Sequence, residues 1–136
     1  MGKNKSAGSL DTNILLRLLL DDVALHTKAA EALLGKGKRF EVADAAIIEM
    51  IFVLEKVYQF TREDILENVY VITRSEQFIC NRTLFESALP LYLAQAKLSI
   101  MDCVLLTYAR LNNALPFWTF DKDLIKYSEN DARVVG

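Results

Sequence analysis

The chain has 136 residues, enough for one domain whose core needs neither disulfides nor a structural metal. With 52% hydrophobic and 25% charged residues it falls in the globular range, which excludes disordered and fibrous classes. A net charge of -2 excludes a strongly basic nucleic-acid coat, and no apolar run approaches membrane-span length, so a soluble, cytoplasmic protein is expected.

Cys80 and Cys103 are too few and too far apart for a disulfide framework or a thiolate metal site, and read as reduced packing residues. The single histidine, His26, cannot build a histidine-rich zinc site and reads as an ordinary helix-surface residue. A serine or cysteine triad is disfavoured for the same reason, since His26 would be its only base.

In chain order, residues 1–9, opening "MGKNKSA", are expected as a flexible tail or an expression remnant, with 10–136 as a single domain. A short first strand ends at Asp11 in "SLDTN". "NILLRLLL" reads as a short apolar helix, and "DDVALHTKAAEALL" as a second that stops at the glycines of "GKGK". "RFEVA" is expected as a strand. Asp44 is then expected to N-cap the helix "ADAAIIEMIFVLEKVY".

"TREDILENVYVITRS" opens with Thr61 followed three residues on by Asp64, the capping-box spacing. "QFIC" is a further short strand, and "RTLFESALPLYLAQAKL" a helix that Pro90 should kink or split. Ser99 is expected to cap "SIMDCVLLTYARLNNA", with asparagines at its end. "LPFWTF" and "ARVVG" are continuous apolar runs. Strands without alternation, separated by helices, indicate a parallel sheet covered on both faces, hence an α/β/α sandwich.

Glu49 is the anomalous residue. At helical spacing its neighbours are Ala45, Ala46, Phe52 and Val53, with Lys56 the only polar residue seven positions on. A carboxylate in mainly apolar company needs a partner. Ligands of parallel sheets bind outside the carboxyl ends of the strands, where Asp11 and Asp121 both fall. Asp102, in the first turn of a helix, and Glu49 can reach the same edge. Asp11, Asp102 and Asp121 each have an equally good reading as helix caps; Glu49, beyond its helix start, does not.

Four carboxylates within about 5 Å of one another would repel by roughly 3 kcal/mol per pair at an effective dielectric near 20. A divalent cation among them removes that cost. An all-oxygen set without histidine or thiolate suits Mg²⁺ or Mn²⁺, whose characteristic chemistry is hydrolytic displacement at phosphorus.

The segments "LDTNILLRLLL", "AAIIEMIFVLEKVY", "LSIMDCVLLTYAR" and "WTFDKDL" together resemble, in order and spacing, a PIN domain, most closely the VapC-type ribonuclease toxins of toxin–antitoxin systems. The resemblance runs from Leu10 to about Tyr127. It implies a three-layer α/β/α fold with a central parallel sheet and a Mg²⁺- or Mn²⁺-dependent endoribonuclease. The implied catalytic and metal-binding quartet is Asp11, Glu49, Asp102 and Asp121. Thr12, Asn13 and Thr119 match supporting positions, and Asp123 an auxiliary acid. Also implied are a tRNA or rRNA substrate, a cognate antitoxin protein and a homodimer. Apolar helices such as "NILLRLLL" and "IFVLEKVY" would offer a groove to an amphipathic partner helix, while most of their residues read as internal core.

Two alternatives compete with this reading: a PIN-like protein-binding module without catalysis, and a phosphoacceptor receiver domain. The receiver needs adjacent acids directly after the first strand, whereas Asp21 and Asp22 come a helix too late. Lys36, Lys38, Arg39, Arg82 and Arg110 are candidate RNA contacts, each with an equally ordinary solvated role.

Overall fold

A computed structural model describes residues 6–20, 24–35 and 37–136. Asp21, Asp22 and Lys36, to which roles are assigned above, lie outside the described residues, as does the start of the expected tail. The chain forms two compact units, Met1–Asn81 and Arg82–Gly136.

The first unit is organised around strand β1 (Phe40–Glu41), which pairs in parallel with β2 (Phe78–Ile79), Phe40 opposite Phe78. Both phenylalanines are buried. Residues 7–10 run along the other edge of β1: Ala7 N donates to Arg39 O at 2.7 Å, Glu41 N to Gly8 O at 2.8 Å and Leu10 N to Glu41 O at 3.0 Å. Residues 7–9, part of the expected tail, therefore carry strand hydrogen bonds. The first strand itself reduces to one parallel bridge, Ser9 to Glu41, as its single large apolar residue, the buried Leu10, would suggest.

Four helices accompany these strands: α1 (Thr12–Leu20), α2 (Ala24–Leu34), α3 (Asp44–Lys56) and α4 (Arg62–Thr73). Helix α1 packs on α2 and α3, and α3 on α4. The buried positions of α3 are Ile47, Ile48, Met50, Ile51 and Leu54, the three-and-four spacing of one helical face. Leu15 and Leu16 of α1 and Ile65, Val69 and Ile72 of α4 complete this core. Thr61 caps α4 as expected, its hydroxyl accepting from Asp64 N at 3.1 Å. The cap of α3 differs from expectation. Ala43 occupies the N-cap with no side-chain hydrogen bond, and Asp44 lies one residue inside, where its charge favours the positive end of the helix.

The second unit contains α5 (Arg82–Ala94), α6 (Ile100–Leu111), β3 (Phe117–Thr119), α7 (Lys122–Tyr127) and β4 (Ala132–Val134). Helices α5 and α6 pack on each other through Leu84, Phe85, Leu89 and Tyr92 on one side and Cys103, Leu106 and Thr107 on the other, all buried. Helix α5 continues through Pro90 without a break, held by the fully buried Leu89 and Tyr92 on either side. Helix α6 ends at the C-cap Asn112, after which Asn113 takes a left-handed φ of 53°, a conformation asparagine tolerates. Strands β3 and β4 are parallel, with Phe117 opposite Ala132, Trp118 opposite Arg133 and Thr119 opposite Val134.

Both units thus have the expected α/β character, with parallel strands joined through helices. Burial along β3 and β4 is less than their apolar sequence suggests. Trp118 is 59% exposed and Val134 is also exposed. An apolar run states what a strand is made of; burial requires something to cover it.

Candidate active site

Asp11 and Glu49 line one small cavity of about 150 Å³ in the first unit, together with Thr12, Asn13, Leu16 and Val53. The chain reaches it at the end of the first parallel segment, where Asp11 turns into α1 and its Oδ1 accepts a hydrogen bond from Ile14 N at 3.2 Å. Thr12 is buried beneath. Its hydroxyl lies 3.2 Å from Ala46 O and donates to Glu49 Oε2 at 3.3 Å, joining α1 to α3 at the cavity wall. Glu49 is exposed, not buried among apolar groups as its neighbours implied. Glu49 and Val53, one turn on, border an open cavity. The hydrogen-bond partner of Glu49 is Thr12, and Asp11 lines the same cavity.

The other two acids lie in the second unit. Asp102 completes a capping box with Ser99: its Oδ2 accepts from Ser99 N and Ser99 Oγ from Asp102 N, both at 3.1 Å. Asp121 follows β3 and caps α7, Oδ1 accepting from Asp123 N at 2.8 Å and Leu124 N at 3.1 Å. Thr119 supports it through the backbone, its hydroxyl accepting from Asp121 N at 3.0 Å. Asp123 is exposed in the first turn of α7.

A common pattern joins the four acids. Each engages one carboxylate oxygen, Asp11, Asp102 and Asp121 locally and Glu49 through Thr12 of α1, and among the described residues the second oxygen of each has no hydrogen bond. That bond orients the carboxylate while the second oxygen remains available to a ligand.

The cavity between Asp11 and Glu49 fits a hard divalent ion by its donors: two carboxylates, a hydroxyl and a carboxamide, with no imidazole or thiolate. Mg²⁺ is commonly held by one or two carboxylates while keeping several waters. Within the first unit Asp11 and Glu49 line one cavity, and within the second Asp102 and Asp121 are ordered helix caps; among the described residues no group of three or more histidines, cysteines or acids is spaced to hold an ion.

A second, larger concavity of about 710 Å³ lies between α1 and α2, lined by Ile14, Arg17, His26, Ala29, Ala30 and Leu33 with Asn13 at its edge. Of the candidate RNA cations, Arg39 donates to Glu76 O at 2.8 Å. Arg110 is engaged more fully, its Nε donating to Asp131 Oδ2 at 2.7 Å and its Nη2 to Ser128 O at 2.8 Å. That structural role was invisible in the sequence because Arg110 and Asp131 stand 21 residues apart.

The PIN domain family model matches residues 9–130. The chain belongs to the PIN domain family. It is 32% identical over 99 residues to the VapC ribonuclease of Aquifex aeolicus (strain VF5), an alignment covering 70% of this chain and 73% of that protein. The three-layer α/β/α fold of this family accords with the parallel strands and intervening helices of both units, and the receiver-domain alternative is set aside.

Proposed function

We propose that this chain is a Mg²⁺- or Mn²⁺-dependent endoribonuclease, the toxin of a VapBC-type toxin–antitoxin pair, acting in the cytoplasm with residues 10–136 as one PIN domain. The observation that carries the reading is the Asp11–Glu49 cavity, two carboxylates facing one space in a chain similar to a VapC ribonuclease. Asp11, Glu49, Asp102 and Asp121 are the acids that would hold the ion by the family resemblance. When bound, such an ion activates water and neutralises charge on phosphoryl oxygens.

The protein's own residues supply order. Thr12 holds one oxygen of Glu49, and Asn13 offers a carboxamide at the cavity rim. Ser99 and Thr119 anchor the segments carrying Asp102 and Asp121, and Asp123 adds an auxiliary carboxylate in the first turn of α7. The substrate is a tRNA or rRNA. The antitoxin's apolar helix face occupies the α1–α2 groove, a helix-in-groove mode, and the toxin forms a homodimer.

The second reading is a PIN-like binding module without catalysis. One experiment separates the two: purified protein is incubated with total RNA and Mg²⁺ or Mn²⁺, beside EDTA and Asp11→Asn, and the cut ends are mapped. Discrete metal-dependent cuts lost in the variant are expected. Intact RNA with folded, antitoxin-free protein favours the binding module.

A further inference from the structure

Two large aromatic side chains stand open beside Asp121. Trp118, the middle residue of β3, is 59% exposed, and Phe120, between β3 and the cap of α7, is 77% exposed. Neither makes an aromatic or hydrogen-bonded side-chain contact among the described residues. The parallel register places Arg133 of β4 directly opposite Trp118, and paired strand residues project to the same face with their strands roughly 4.8 Å apart. Arg133 is exposed, and among the described residues its side chain makes no hydrogen bond or ion pair. It lies beyond the span 9–130 matched by the family model.

Exposed aromatic faces beside an unneutralised guanidinium make the chemistry that recognises unpaired nucleotides. Bases stack on the aromatics and the cation meets the backbone phosphate. A base-paired duplex hides its base faces and has no such use for Trp118. We infer that Trp118, Phe120 and Arg133 form a contact for single-stranded RNA, stacking one or two unpaired bases next to the carboxylate of Asp121. This surface determines which nucleotides the site takes, and its relevance to cleavage rests on the nuclease reading above. The sequence signal was present in "FWTFD" but reads equally as a buried strand.

Trp118 is the chain's single tryptophan, so its emission reports this surface alone. The protein is titrated in EDTA with a short unstructured oligouridylate and, separately, with a blunt RNA duplex at equal phosphate concentration. The oligouridylate is expected to quench Trp118 emission saturably, and the duplex is not. With a labelled oligouridylate followed by anisotropy, Trp118→Ala and Phe120→Ala should each weaken binding at least fivefold, as loss of a stacked base does. Arg133→Gln should lower both affinity and its salt dependence. Far-UV circular dichroism checks that each variant is folded.

Equal quenching by the duplex, or oligouridylate binding that leaves Trp118 emission and the variants unaffected, overturns the inference. So does a Trp118 signal that follows protein concentration alone and vanishes with dimer dissociation, which assigns the face to a second copy of the chain. Saturable quenching by a protein that cuts no RNA retains the surface and removes the nuclease reading.

Discussion

Thr12 joins the two acidic elements of the first unit: from the first residue of α1 its hydroxyl reaches Glu49 Oε2 on α3 at 3.3 Å, with Ala46 O at 3.2 Å. The residue is buried, so this hydroxyl has little competition from water. Thr12→Val keeps the shape and removes the donor. It should lower the cleavage rate about tenfold, the effect of roughly 1.4 kcal/mol, and melting temperature by a few degrees. Kinetics together with thermal denaturation check it, and an unchanged rate would show that Glu49 needs no such orientation.

Ser99 and Asp102 give a test of whether one residue serves two roles. Ser99→Ala removes half of the capping box and should cost about 1 kcal/mol of stability, measured by urea denaturation. Because Asp102 retains the bond from Ser99 N, the loss in cleavage should be small. Asp102→Asn should do the reverse, keeping an acceptor for Ser99 N while abolishing most activity.

Arg110 closes the second unit by tying the last turn of α6 to Asp131 and to the carbonyl of Ser128, the C-cap of α7. The pair is about one-third exposed, so its worth is modest. Arg110→Gln should lower stability by about 1 kcal/mol, because two bonds are lost and a carbonyl is left without its charged donor. Asp131→Asn, which still accepts from the guanidinium, should cost less. Equal losses in chemical denaturation would mean that charge, not hydrogen bonding, holds the turn.

The α1–α2 groove makes a prediction about binding without catalysis. Ala29→Glu places a charge on the apolar wall lined by Ile14, Ala30 and Leu33. It should leave RNA cleavage intact while weakening capture of a cognate antitoxin peptide at least tenfold in calorimetry.

Much of this fold was legible from the chain because local signals and packing agree. Thr61 with Asp64 and Ser99 with Asp102 form the caps their spacing announces, and the asparagines after α6 supply the left-handed residue. Where the reading failed, a nonlocal fact decided. Asp44 yielded its cap position to Ala43, and nothing in either residue's neighbours reveals where the helix takes its first turn. Glu49 looked buried because its helical neighbours are apolar, yet it borders an open cavity together with Val53. Trp118 looked buried because aromatic runs usually are, while the tertiary arrangement leaves it open. Asp11 and Glu49 were expected together from resemblance and strand topology; the hydrogen bond from Thr12 to Glu49 emerged in atomic detail only from the structure.

The metal-holding role of the Asp11–Glu49 cavity is tested most directly by calorimetric titration of Mn²⁺ into the wild-type protein, Asp11→Asn and Glu49→Gln. Asparagine retains an oxygen to accept from Ile14 N, so Asp11→Asn removes charge while sparing the helix cap. The account predicts saturable Mn²⁺ binding to the wild type that weakens at least tenfold in both folded variants. Absence of binding in the wild type, or equal binding in all three, would contradict it.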